Sequence, residues 1–327
     1  MRVFMPLAMV QYEGISELEQ IVYSQVTIVT AKQLEANPEE GKGIKVAFYV
    51  IHRGGELILE YKEKGLLPDL GLICNHGVGV NHMPFDKLRS LGIRLANTPD
   101  VLSDSTADMA LALMLASGRR LKLGMEIAMN LPSKEIHQAS SKEILGNEIS
   151  YAKLGIIGMG SIGYKVAQRA KAFNMSIHYH NRSQRSAEEE KAIGATFHAE
   201  LHSLLSVSDY LVVSCPLTSE TKNLIGREEF KAMKSTAHLI NVARGSIVNT
   251  DALVEALVSK EIHAAALDVT EPEPLPNDHP ILKLENVIIV PHWGSATIET
   301  RGKMLQLMID NGKAFIESKP LLTEVTL

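Results

Sequence analysis

Along almost the whole chain, short apolar runs alternate with stretches whose apolar residues recur every three or four positions. That alternation predicts strands separated by amphipathic helices. In the first third, the runs at 3–9, 26–30, 44–51, 70–75 and 93–97 read as strands, and 15–23, 55–64 and 85–91 as helices. The pattern resumes after 153. Strands are predicted at 154–157, 176–180, 195–198, 210–215, 237–242, 264–268 and 287–290, with helices at 201–205, 228–233 and 251–258. A last long helix, about 298–317, is stopped by Pro320. Short, continuously apolar strands of this kind suit parallel sheets covered on both faces, which places the chain in the α/β class.

Between the two series, 97–100 (Asn-Thr-Pro-Asp) marks a boundary, because proline biases Thr98 away from helix. The helix predicted at 104–120 is apolar on more than one face, so it belongs between layers or between subunits. The stretch 121–150 is the least regular, a weak helical pattern broken by Pro132 and Gly146, and reads equally as an arm toward a second subunit or as a covering loop.

The most informative stretch runs from Lys153 to Arg185. Its apolar run is followed by Gly158, Gly160 and Gly163 in G-x-G-x-x-G spacing, then by a helix and a second strand. In a dinucleotide-binding turn the first glycine permits the turn and the second lets a pyrophosphate approach the backbone. The third brings helix and strand together, and the helix N-terminus offers amides to the phosphates. With strand, helix and second strand all in place, the fingerprint predicts a dinucleotide site.

Composition narrows the function further. A net charge of −5 provides no basic field for nucleic acid. The two cysteines, Cys74 and Cys215, are far apart and form neither a disulfide framework nor a zinc motif. No apolar stretch approaches a membrane span, and 3–10, interrupted by Pro6, reads as a first strand rather than a leader. Cytoplasm is the expected compartment. His178 and His180 share a strand face, and His198 and His202 are four apart; without a third ligand both pairs are read as solvent-facing, and no metal is expected.

Three polar positions can carry chemistry. Arg244 follows a strand and precedes Gly245, where its guanidinium can fork onto a carboxylate. His292 follows the strand at 287–290 and is a candidate proton donor. Glu271 and Glu273, each before a proline, are alternative partners for it; a carboxylate against an imidazole orients the ring and favours its protonated form. The glycine loop 76–81 at the end of the strand at 70–75 reads either as a ligand loop or as a plain turn.

Taken together, GMGSIG, NVARGS, ALDVTEPEPLP and PHWGSAT, in that order, resemble the D-isomer-specific 2-hydroxyacid dehydrogenases. VGVNH and NTPDVLSDSTAD upstream resemble the glyoxylate/hydroxypyruvate reductase branch of that family, and the likeness is clearest from 70 to 297. It implies a Rossmann cofactor domain, 99–298, inserted into a split flavodoxin-like substrate domain, 1–98 with 299–327, both with parallel sheets. It also implies Arg244, Glu273 and His292 as the catalytic set, with Glu273 preferred over Glu271. Val78 and Gly79 match the loop whose backbone binds the substrate carboxylate, and Ser295 matches a pocket residue. Asp268 matches a residue near the nicotinamide, and the family pattern adds Thr106, Ser161, Ile162, Cys215, Pro216, Val242 and Gly294 as cofactor contacts.

An NAD enzyme places Asp or Glu about 20 residues past the fingerprint, against the ribose 2′-hydroxyl. This chain has Asn181 there, followed by Arg182, Ser183 and Arg185, which favours NADP(H) with NAD(H) as a possible second cofactor. The implied function is NADPH-preferring reduction of small 2-keto acids by a homodimer. Relatives in this branch carry tryptophans in the region matching 121–150, whereas this chain has one tryptophan, Trp293. That opens the expected substrate range to larger acids such as 2-ketogluconate. The competing readings are an NAD-dependent 2-hydroxyacid dehydrogenase of other specificity and a nucleotide-sensing binding protein resembling the co-repressors of this fold.

Overall fold

The computed structural model describes residues 1–6, 24–50, 55–130 and 144–327. Two compact units divide the chain: Met1–Leu102 with Ser295–Leu327, and Ser103–Gly294. The predicted helix at 15–23 lies outside the described residues, as do the ends of the strands predicted at 3–9 and 44–51.

The first unit is built on a six-stranded sheet. Its strands are β1 (Arg2–Met5), β2 (Thr27–Thr30), β3 (Val46–Tyr49), β4 (Leu72–Asn75), β5 (Arg94–Ala96) and β13 (Glu324–Val325). The order is β13-β5-β4-β3-β1-β2, the flavodoxin-like 2-1-3-4-5 arrangement with one strand added at the edge. Alternate residues of one strand feed opposite faces, as the pleat requires. Phe4 packs with Val29, Leu34 and Ile58 on one side, whereas Val3 and Met5 pack with Leu305, Met308 and Ile309 of the last helix, Ile298–Ile316, on the other.

One strand departs from the expected parallel order, since β13 runs antiparallel to β5. Two residues are too few to show a strand period. The strand is held instead by Arg94, whose Nε and Nη2 each donate to a Glu324 carboxylate oxygen at 2.7 Å.

The second unit carries a seven-stranded, wholly parallel sheet of order β12-β11-β10-β9-β6-β7-β8. The strands are β6 (Lys153–Ile157), β7 (Ser176–His180), β8 (Ala195–Phe197), β9 (Tyr210–Val213), β10 (His238–Asn241), β11 (Ala264–Leu267) and β12 (Val287–Ile289). The chain moves outward through β7 and β8, then returns to the other side of β6 through β9. The carboxyl ends of β6 and β9 therefore form the switch point where ligands bind in such sheets. Every residue of β9, β10 and β11 is buried, consistent with helices on both faces.

Helix Ser103–Gly118 covers one face through Ala107, Ala110, Leu113 and Met114, packed with Leu154, Ile156 and Val212. Its outward carboxylates Asp104 and Asp108 both accept from Arg169, at 2.9 and 2.5 Å. The stretch with the weak helical pattern opens with helix Leu121–Asn130, in which no residue is buried. Leu121, Met125 and Met129 stand exposed along it; 131–143 lie outside the described residues.

The solvent-facing reading of the histidine pairs holds for His202, which is exposed, and is corrected for the other three. His178 and His198 are half-buried and hydrogen-bonded to each other, Nδ1 to Nε2 at 3.0 Å, and His180 Nδ1 bonds the His198 carbonyl oxygen at 2.9 Å. They lock the β8 end to β7, a pairing that spacing along one strand cannot reveal. Among the described residues no group of three or more His, Cys, Asp or Glu is placed to hold a metal. Nor is any described helix long and apolar enough to cross a membrane.

Candidate active site

Each glycine of the fingerprint answers a different demand. Gly158 follows β6 at φ +95°, and a Cβ there would lie 2.5 Å from the Cys215 backbone nitrogen. A Cβ on Gly163 would lie 2.2 Å from the Gly158 carbonyl oxygen, so helix Ser161–Ala170 and the turn touch directly. At Gly160 nothing stands within 4 Å of the Cβ position. The protein itself requires the first and third glycines, while the second leaves open space beside the helix N-terminus. Gly160 caps that helix without a side-chain bond, so the first-turn amides are offered outward. This cradle fits the phosphates of a dinucleotide.

The residues after β7 divide into two groups. Asn181 Oδ1 accepts the Met159 amide at 2.7 Å, and Arg185 Nε donates to the Met159 carbonyl at 2.6 Å. The Arg185 guanidinium also pairs with Glu189 and lies 5.2 Å from the centre of the Tyr164 ring. Both side chains thus brace the glycine turn. Arg182 and Ser183 are exposed beyond them.

Arg182 also faces an acid. Glu220 is held low, to about 2, chiefly by hydrogen bonds with Thr218 and Ser219 and in smaller part by the Arg182 charge. Of the other expected cofactor contacts in this unit, Thr106, Cys215 and Val242 are buried, Ile162 is half-buried, and Ser161 and Pro216 are exposed.

Beyond β10, β11 and β12 the structure brings the catalytic candidates into one network. His292 Nδ1 lies 2.7 Å from Glu273 Oε1. Glu271, the alternative acid, is turned elsewhere and accepts from Ser246 Oγ at 2.5 Å. His292 itself sits at φ +57°, in the left-handed region. Asp268, buried at the end of β11, fixes that turn from beneath. Its carbonyl oxygen accepts the His292 amide at 2.8 Å, and its carboxylate accepts the amides of Trp293 and Gly294 at 2.6 and 2.9 Å. Burial pushes the Asp268 carboxyl up, opposed by those amides and by the nearby imidazole. Gly294 is required here, since a Cβ would lie 2.8 Å from Asp268 Oδ2 and 3.3 Å from Thr106 Cγ2.

Arg244 follows β10, and Asn241, the last residue of that strand, shapes its approach. Asn241 Oδ1 accepts the Ala243 amide at 3.0 Å while its Nδ2 donates to the Arg244 carbonyl at 2.9 Å. Burial lowers the Arg244 guanidinium, with Glu273 acting in the opposite sense; an arginine remains charged regardless.

In the first unit, the loop after β4 is built in a similar way. Asn75, 2% exposed, donates from Nδ2 to the carbonyls of Gly77 at 3.0 Å and Gly79 at 3.2 Å. Asn97 Nδ2 donates to the Val78 carbonyl at 2.9 Å. Ser295 lies in this unit, half-buried, and accepts the Thr297 amide at 2.9 Å just before the last helix. Sequence reasoning did not single out Asn75, Asn97, Asn181 or Asn241 as shaping the backbone. A usable signal existed for two of them: an asparagine closing an otherwise apolar strand run must spend its amide on the turn that follows.

Residues 111–294, within the second unit, match the profile of the D-isomer specific 2-hydroxyacid dehydrogenase NAD binding domain. The glyoxylate/hydroxypyruvate reductase B of Pectobacterium carotovorum subsp. carotovorum is 40% identical over 284 residues, covering 86% of this chain and 87% of the relative. That of Yersinia pestis is 37% identical over 308 residues, covering 93% and 92%. Among solved structures, the NADPH-dependent glyoxylate/hydroxypyruvate reductase of Sinorhizobium meliloti, in complex with NADP and malonate, superposes with a TM-score of 0.82 at 28% identity. It covers 99% of this chain and 96% of that one.

Proposed function

This chain belongs to the D-isomer-specific 2-hydroxyacid dehydrogenase family, in its glyoxylate/hydroxypyruvate reductase B branch, and we propose that it is an NADPH-preferring reductase of small 2-keto acids yielding D-2-hydroxy acids. The branch makes it a nicotinamide-dependent reductase of 2-keto acids. The cofactor preference, the residue roles and the substrate range are our reading.

The observation that carries the catalytic assignment is the 2.7 Å contact between His292 Nδ1 and Glu273 Oε1. With Nδ1 committed to the carboxylate, the ring is held in one orientation and proton donation falls to Nε2. A nicotinamide held by the glycine turn would supply the hydride. By the family pattern we assign Arg244 and, in the first unit, the Val78 and Gly79 amides to the substrate carboxylate, and Arg244 further to the alkoxide that develops at the reduced carbon. His292 Nε2 protonates that oxygen, completing the 2-hydroxy acid.

NADPH preference rests on residue 181. Asn181 presents no charge against a 2′-phosphate, and the exposed Arg182 and Ser183 supply a guanidinium and a hydroxyl for it. The Sinorhizobium relative, itself NADPH-dependent, supports the same choice. Glyoxylate and hydroxypyruvate are the first substrates to expect from the named relatives, with 2-ketogluconate included because Trp293 is the chain's single tryptophan. We assign the protein to the cytoplasm and to a homodimer, the latter because helix Leu121–Asn130 leaves Leu121, Met125 and Met129 exposed.

The test is steady-state kinetics, followed at the nicotinamide absorbance, with glyoxylate, hydroxypyruvate and 2-ketogluconate against NADPH and NADH. We expect turnover with at least one acid and kcat/KM at least ~10-fold higher with NADPH, the scale of one well-made charged contact. A preference for NADH would overturn the cofactor assignment. Absence of turnover across the panel would turn the reading toward a nucleotide-sensing binding protein.

A further inference from the structure

We propose that Asn75 and Asn97 are positioning residues for substrate binding: they hold two peptide planes of the loop after β4 so that the Val78 and Gly79 amides face the substrate carboxylate. The proposal rests on the assignment of those amides made above, and it adds the groups that aim them.

The argument is one of peptide geometry. In a trans peptide the carbonyl and the following N–H point in opposite directions within one rigid plane. The Val78 N–H shares its plane with the Gly77 carbonyl, and the Gly79 N–H shares its plane with the Val78 carbonyl. Both carbonyls are held on the protein side. Gly77 O accepts from Asn75 Nδ2 at 3.0 Å and from the Thr98 amide at 3.1 Å, while Val78 O accepts from Asn97 Nδ2 at 2.9 Å. The amides are therefore turned the other way, and among the described residues no hydrogen bond uses either of them as donor. The next carbonyl, Gly79 O, is held by the same Asn75 Nδ2 at 3.2 Å, so three successive carbonyls are tied to the two asparagines. Two backbone donors turned away from their own carbonyl partners at a strand end can receive an anion.

The two asparagines are themselves fixed. Asn75 Oδ1 lies 3.2 Å from His82 Nε2, and the His82 ring stacks on Tyr49 with centroids 4.9 Å apart. The opposite amide orientation would set Oδ1 against two carbonyl oxygens, so the network permits one placement. The Asn97 backbone is tied at both ends to Thr323, which donates to its carbonyl from Oγ1 at 2.7 Å and accepts its amide at 3.2 Å. Thr323 in turn is held by Asn311 of the last helix, whose Nδ2 donates to Thr323 Oγ1 at 2.9 Å. At the start of the loop, Arg301 of the same helix reaches His76 Nδ1 at 3.3 Å. These ties lie wholly within the first unit and aim the loop before any substrate arrives, so binding need not order it.

The carboxylate is bound alike in the ground and transition states, so loosening its site raises KM and leaves kcat nearly intact. Asn75→Asp keeps the shape but places a carboxylate against two carbonyl oxygens, and Asn97→Ala frees the Val78 carbonyl alone. For both variants, KM for hydroxypyruvate or glyoxylate is expected to rise about tenfold or more, with kcat within about threefold, the scale of a lost hydrogen bond to a charged group. Kd for NADPH, read by energy transfer from the single tryptophan, Trp293, is expected to stay within about twofold, since none of the cofactor contacts we propose lies in the loop. Thermal midpoints measured alongside separate aiming from mere support. A lowered Tm with unchanged KM in Asn97→Ala, beside an active parent, would overturn the positioning role alone, and that milder variant decides the matter if Asn75→Asp does not fold. A parent protein inactive on every keto acid would overturn the carboxylate assignment and the positioning role with it.

Discussion

At the scale of single residues, the site is a set of charges fixed by backbone. His292 occupies a left-handed conformation that Asp268 secures through three amides, so the imidazole meets Glu273 in one orientation. Replacing His292 by Ala should leave NADPH affinity unchanged and lower kcat by ~10²–10⁴-fold, the usual contribution of a general acid; kcat within about threefold of the parent would remove the residue from that role. Much of this was legible beforehand. Arg244 and His292 each stand just past an apolar strand, the place where ligands meet parallel sheets. What spacing could not decide was which glutamate serves His292, because Glu271 and Glu273 differ by two positions in a proline-bound loop. Tertiary contacts separate them: Ser246 takes Glu271, and Glu273 meets the ring. Asn181 carried a second role hidden from the sequence, since its bond to the Met159 amide bridges 22 positions of chain.

At the scale of elements, the strand–turn–helix around Gly158, Gly160 and Gly163 shows what a fingerprint means physically. Gly158→Ala would drive a methyl to 2.5 Å from the Cys215 nitrogen at a φ that side chains rarely adopt, and should destabilise the fold by more than about 1 kcal/mol. Gly160→Ala meets nothing in the protein, so Tm should hold while KM for NADPH rises about tenfold or more, because the methyl occupies the phosphate approach. Thermal melts and cofactor titrations of the pair check this, and equal losses of Tm in both variants would contradict it. Buried parallel strands were legible because each is a continuous apolar run, but their ends were not. The run at 210–215 reads as one strand, whereas the ladder stops at Val213 and the last two residues already belong to the turn packed on Gly158. Strand β13 went unread for the opposite reason, as two residues carry no period and its pairing depends on Arg94, 230 positions away.

At the scale of the whole molecule, helix Leu121–Asn130 stands without a buried residue, with Met129 72% exposed. Such a face is costly to leave in water, and the homodimer we propose would cover it. Met125→Glu with Met129→Glu should shift the protein from dimer to monomer in sedimentation, whereas a parent that sediments as a monomer would rule the dimer out. The α/β class, the dinucleotide turn and the family could be read from the residues alone, because these are written in local periods, glycine spacing and ordered motifs that need no knowledge of distant contacts. Contacts across the fold were needed to show which asparagines shape the turns, that Ser246 takes Glu271, and that Arg185 braces the glycine turn through Met159 and Glu189. Those outcomes depend on side chains brought together across tens to hundreds of positions, and no local pattern encodes such a meeting.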